Sequence, residues 1–172
     1  MFETVAQLIG FVGLIVGVTS TFWKTTRHII MAGTIGIGCY VVHYFLLDAY
    51  SGAIIDGIAG VRGIVALNTN NAYVKSIFYI LPVIMIGATA VTVPNVMVGI
   101  ASILNTYASF STNPQTLRLF NLLSAPFWFY YNFSENSYAG MCGDVLGASC
   151  NIFALYLYRN YSFVNHNSEW RA

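Results

Sequence analysis

Long apolar runs broken by short polar stretches fill the chain from end to end. The runs predict seven helices, at about 4–23, 28–47, 50–68, 75–91, 95–110, 116–133 and 138–158. The polar run Asn68-Thr69-Asn70-Asn71 closes the third, and the fourth contains Leu81-Pro82. A helix needs roughly 17–25 residues to cross the hydrocarbon core of a bilayer. The fourth and fifth runs sit at the lower limit.

Composition turns these helices into membrane spans. The chain is 57% hydrophobic and 8% charged, where a soluble domain carries about 25% charged residues. So few charges cannot cover the surface of a soluble globule, so the expected main solvent is lipid. The net charge of +1 excludes the basic footprint of a nucleic-acid binder. The first basic residue, Lys24, follows the first run, and Glu3 precedes it. A secretory signal needs the opposite order, so the first run is expected to be a retained span. Cys39, Cys142 and Cys150 all lie in apolar stretches, which argues against a disulfide framework.

The flanking charges give an orientation. With seven spans, Lys24, Arg27, Lys75, Arg118, Arg159 and Arg171 all fall on one side. Glu3, Asp48 and Glu135 fall on the other. Basic flanks stay cytoplasmic, which places the N-terminus outside and the C-terminus inside. Removing the fourth span would scatter the cations over both sides, so the charge pattern supports it. Arg62 alone lies within a span.

An internal repeat is also visible. Shifting residues 45–67 by 88 aligns Phe45 with Phe133, Tyr50 with Tyr138, Gly52 with Gly140 and Asp56 with Asp144. Ile64, Ala66 and Leu67 then meet Ile152, Ala154 and Leu155. The halves are spans one to three and five to seven. A single linking helix keeps both in the same orientation, as parallel repeats. The expected architecture is an all-α polytopic membrane protein in a 3+1+3 layout. Residues 1–68 form the first repeat, 69–93 the linker, 94–160 the second repeat and 161–172 a cytoplasmic tail. Gly13-x-x-x-Gly17, Ala59-x-x-x-Gly63 and Gly143-x-x-x-Gly147 offer close helix packing.

The candidate chemistry lies in polar residues inside the spans. Asp56 and Asp144 occupy matched positions, where a charge costs a few kcal/mol unless it faces protein or water. They could line a central cavity, reach the outer interface or bond within the bundle. Arg62 lies about 240° around its helix from Asp56, so its partner is expected on another helix, with the aspartates across the pseudo-axis as candidates. Asn151 shares a face with Asp144 and Gly147. Tyr40 and Trp128 fall at matched positions, where one ring from each half could stack on a solute. His43 stands near the outer end of span two, matched by Tyr131. A buried, hydrogen-bonded histidine is the plainer reading, and a proton-linked role the alternative. No nucleophile–base arrangement, phosphate loop or metal-ligand spacing is present, so neither enzymatic activity nor a cofactor is expected.

The string His43-Tyr44-Phe45-Leu46-Leu47, Tyr50, the following small residues and Arg62 resemble the bacterial inner-membrane YgjV family. Asn132-Phe133, Asp144 and Asn151 in the second half resemble it too. This likeness implies a bacterial inner membrane and little chemistry. The 3+1+3 layout is more distantly similar to the SWEET and PQ-loop transporters. There an asparagine in the third helix of each repeat helps hold sugar. Asn151 fits that place in the second half, but Gly63 stands in the first, and the Pro-Gln motif is missing.

Two functions follow as expectations. One is a carrier of a small polar solute, binding it near Asp56, Arg62, Asp144, Asn151, Tyr40, Trp128 and His43. The other is a non-transporting membrane protein that assembles with or regulates a partner through its small-residue faces. Two copies of so compact a unit could also associate as a homodimer.

Overall fold

The computed structural model describes residues 2–88 and 91–159. The proposed tail at 161–172 lies outside them. Seven helices follow one another: α1 (Phe2–Ser20), α2 (Thr26–Leu46), α3 (Tyr50–Ala66), α4 (Ala72–Ala88), α5 (Val93–Ser109), α6 (Pro114–Ser134) and α7 (Tyr138–Leu157). Each matches an expected run, with ends displaced by up to three residues. α1, α2 and α7 are long and apolar enough to cross a membrane on their own, and α4 is a shorter apolar helix.

The helix starts have ordinary causes. The side chains of Thr25, Thr92, Asn113 and Ser137 accept from the first free N–H groups of α2, α5, α6 and α7, the role these residue types serve at an N-cap. Pro94 and Pro114 stand in the first turns of α5 and α6, where the missing N–H costs nothing. The turns α2–α3 and α6–α7 each place one residue at positive φ, Asp48 at 58° and Asn136 at 54°. Asp and Asn tolerate this conformation better than most residues.

Six helices form a closed ring. α1 packs on α2, α2 on α3, α3 on α5, α5 on α6, α6 on α7, and α7 back on α1. α4 stands outside, against α3 and α5. The ring's exterior is apolar, with Leu8, Ile15, Ile35, Phe45, Ile64 and Phe133 exposed. Its buried residues include Asp56, Arg62, Arg118, Asn132 and Asn151. This distribution suits a protein whose outer solvent is hydrocarbon.

Apolar clusters mark the two ends. Ile29, Ile30, Ala66, Phe78, Ala108, Phe110 and Leu117 gather where α2 and α6 begin. Tyr44, Ala49, Ala53, Ile55, Met85, Val98 and Tyr131 gather where those helices finish. The first end also carries the cations. Arg118 donates to the carbonyls of Thr21 (3.1 Å) and Trp23 (2.7 Å) and lies over the Tyr158 ring. Lys75 lies over Phe110. Arg118 is therefore a fully buried clamp on the end of α1, more than a flanking charge.

Pro82 in α4 illustrates how a buried polar group is satisfied. A proline cannot donate to the carbonyl four residues earlier, here Phe78. The Thr106 hydroxyl of α5 comes within 3.3 Å of that oxygen, and 2.8 Å from Ser102 O.

Backbone approaches backbone closely where α1 meets α2. A Cβ built on Gly36 would sit 3.0 Å from Gly13 O and 3.2 Å from Gly17 N, whereas one on Gly38 meets nothing within 4 Å. Gly36→Val should therefore destabilise the protein by about 1–3 kcal/mol through overpacking. Gly38→Val should leave the detergent-solubilised melting temperature nearly unchanged, and thermal unfolding of the pair checks the contrast.

Candidate functional site

A cavity of about 270 Å3 occupies the centre of the ring. All six ring helices line it, and α4 does not. Its charged lining residues are Asp56 of α3, Arg62 of α3 and Asp144 of α7. Tyr40, Tyr44, Trp128 and Asn151 line it too. Of the residues singled out from sequence, only His43 stands apart from the cavity.

His43 is bound on both ring nitrogens. Nδ1 lies 2.7 Å from Ala6 O, which can only accept, so Nδ1 carries the proton. Nε2 then accepts from the Ser137 hydroxyl at 2.7 Å. His43 thus ties α1, α2 and the start of α7 together. Tyr131, at its matched position, does similar work on the opposite side. Its hydroxyl accepts from Gly52 N (2.7 Å) and pairs with Ser51 (2.9 Å) at the start of α3.

Asp144 belongs to a directed chain. Tyr44 OH donates to Asn132 Oδ1 at 2.6 Å, and Asn132 Nδ2 donates to Asp144 Oδ2 at 2.8 Å. The Asn132 amide thereby has one defined orientation. Gly140 makes room for it, because a Cβ there would collide with Asn132 Oδ1. Asp56 is buried at 6% exposure. Among the described residues, no group donates a hydrogen bond to its carboxylate. Asp56 and Asp144 lie within electrostatic reach of each other.

Arg62 differs from expectation. Its Nη1 donates to Ser102 O and Thr106 Oγ1, both at 3.1 Å, with Ser102 Oγ at 3.4 Å. These neutral partners belong to α5, the ring neighbour of α3. The aspartates make no hydrogen bond to it among the described residues, although Asp56 is within electrostatic reach. Arg62 Nε, Asn105 Oδ1 and Asn151 Oδ1 are buried without a partner among the described residues. All three residues line the cavity. Asn151 otherwise donates to Gly147 O of its own helix at 2.8 Å.

Sequence reading missed several lining groups: Tyr44, Ser102, Asn105 and Asn132. Two carried a signal. Tyr44 and Asn132 are separated by 88 residues, the repeat offset itself. The glycines Gly143 and Gly147 also take an unexpected place. Both face the cavity, Gly143 close under the Tyr40 hydroxyl and Gly147 in open space.

Outside the spans, partial burial pushes the Glu135 carboxyl above its ordinary range at the α6–α7 turn. Cys39, Cys142 and Cys150 are free thiols. No group of three metal-ligating side chains occurs among the described residues.

The family model for Imp-YgjV, bacterial inner membrane protein, matches residues 4–162. The chain belongs to this family. Inner membrane protein YgjV of Escherichia coli (strain K12) is 26% identical over 136 residues, covering 78% of this chain and 74% of the relative. No solved structure matches. As an Imp-YgjV member, the chain is a multi-pass protein of the bacterial inner membrane. The family match spans every ring helix from residue 4 onward and so contains the whole cavity.

The Tyr44–Asn132–Asp144 chain can be tested by one atom. Tyr44→Phe removes the donor and leaves Asn132 Oδ1 buried and short of a partner, at a cost of about 1–3 kcal/mol. Thermal unfolding in detergent should show that loss. Phe45→Tyr, at an exposed neighbouring position, should show none.

Proposed function

We propose that this inner membrane protein is a carrier of a small polar solute, held in the central cavity. The observation that carries the reading is a cavity at the centre of an apolar ring, mostly apolar in its lining but with a carboxylate on α3 and another on α7. Such polar groups inside a membrane protein face a bundle interior or a water-filled path, and mark function by default. The cavity approaches the lower end of the range for small-molecule sites, about 300–1,000 Å3.

The arrangement behind it is a pair of parallel three-helix repeats, α1–α3 and α5–α7, with α4 as linker. Three features support this. The seams α7–α1 and α3–α5 correspond under exchange of the halves. Asp48 and Asn136, 88 residues apart, share the positive-φ conformation. His43 and Tyr131, also 88 apart, each reach across to the start of the other half's third helix. All seven helices then cross the bilayer, and the cation-bearing end faces the cytoplasm. Rocking of one half against the other would open the cavity to each side in turn. The likeness to SWEET transporters rests on this layout alone.

The test is solute flux through proteoliposomes, beside a variant that fills the cavity from an open wall. Gly147→Val adds volume where nothing lies within 4 Å, so it should fold normally. Uptake should fall about tenfold or more, equivalent to about 1.4 kcal/mol of lost binding. Equal flux in both proteins would remove the cavity from the path. Flux of no compound, with reproducible copurification of one membrane protein, would make this an assembly or regulatory subunit.

A further inference from the structure

We infer that the cavity selects a small organic cation, an ammonium compound with apolar substituents. The inference rests on the carrier reading and names the solute's chemical class.

The charge of the lining comes first. Two carboxylates, Asp56 and Asp144, share the cavity with one guanidinium, Arg62. The Arg62 Nη1 group is committed to α5 through Ser102 and Thr106. With the carboxylates ionised, the lining carries one negative charge in excess. The two lie within electrostatic reach of each other, so each makes the other's charge more costly. Asn132 supports Asp144. Asp56 is more than nine-tenths buried, lines the cavity and takes no hydrogen bond from the described residues. A donor with positive charge between them answers both deficits.

The neutral lining points the same way. Of the three buried lining atoms without a partner among the described residues, Asn105 Oδ1 and Asn151 Oδ1 are acceptors, and Arg62 Nε is a donor on the one residue that already carries positive charge. A solute with N–H donors satisfies the two acceptors, and a carboxylate anion does not.

The third observation is an aromatic wall. Tyr40 and Tyr44 from α2 stack at 5.9 Å, and Trp128 from α6 stacks on Tyr44 at 6.4 Å with 13° between planes. Both tyrosines lie within electrostatic reach of both aspartates. Aromatic faces attract cations, and an ammonium bearing carbon substituents also buries apolar surface against them. A bare alkali ion gains less there, because it keeps its water strongly. The combination of carboxylates, acceptors and an aromatic wall therefore favours an organic ammonium over a metal ion, a polyol or an acid.

The experiment uses the full chain in detergent and in proteoliposomes. Ethylammonium chloride, diethylammonium chloride, erythritol, sodium lactate and sodium chloride are compared at matched ionic strength. Thermal shift, calorimetric affinity and flux are read in each. The ammonium salts should stabilise and cross, and the others should not. Asp56→Asn and Asp144→Asn, which preserve shape, should each weaken ammonium binding about tenfold or more. Should either variant fail to fold, Gly147→Val supplies the loss of binding from an uncharged wall. Sodium chloride matching the ammonium salts would overturn the inference in favour of a simple ion site. So would unchanged ammonium affinity in the variants. Binding or flux of erythritol or lactate without the ammonium salts would overturn it while the carrier reading stands. No binding and no flux for any compound would end both.

Discussion

A carboxylate cannot be left against hydrocarbon, and this one constraint organises the molecule. Placing Asp or Arg at the middle of a membrane helix costs about 2.5–3.5 kcal/mol even by lenient scales. α3 carries both Asp56 and Arg62, and α7 carries Asp144 with Asn151. Neither helix can stand alone in lipid with those groups outward. The ring solves the problem for both by turning their polar faces to a shared centre. The apolar exterior, the interior hydrogen bonds and the closure through α7–α1 and α3–α5 follow from that requirement.

Closure also needs the helix ends to be tied, and hydrogen bonds do this at both ends of the bundle. Gln7 of α1 bonds to Asn136 O and Ala139 N at the start of α7. At the other end Tyr158 OH reaches Phe22 O, and Arg118 holds Thr21 and Trp23. These partners are mostly backbone carbonyls left over where helices stop. The seam α7–α1 is thus fastened at its ends. The seam α3–α5 is fastened near its middle, through Arg62.

Much of the architecture was legible in sequence because lipid imposes a simple code. Apolar run length gave all seven helices within a few residues, and the grouping of cations at one end follows from their loops. Asp56 and Asp144 were legible as a pair because they recur at the repeat offset. What escaped was side-chain pairing between helices distant in sequence. Arg62 was expected to meet a carboxylate, since charge attracts charge. It meets Ser102 and Thr106 instead, because α5 is its neighbour in the ring and run lengths do not encode neighbours. Asn132 was legible only through the family resemblance, and it holds Tyr44 and Asp144 together. Gly143 and Gly147 looked like a docking face because glycine spacing reports close approach without saying to what. One faces a tyrosine and the other a void.

The position of α4 has a consequence for how this chain can vary. It lines no part of the cavity, and its buried residues are Phe78, Pro82 and Met85 on one flank. Its contribution is parity: it returns the chain so that α5 begins at the end where α1 begins. It also fills the apolar clusters at the two ends with Phe78 and Met85, and its Phe78 carbonyl accepts from Thr106. Substitutions on the exposed face of α4, at Ile77, Ile80 or Ile84, therefore touch neither the cavity nor the apolar clusters that hold Phe78 and Met85.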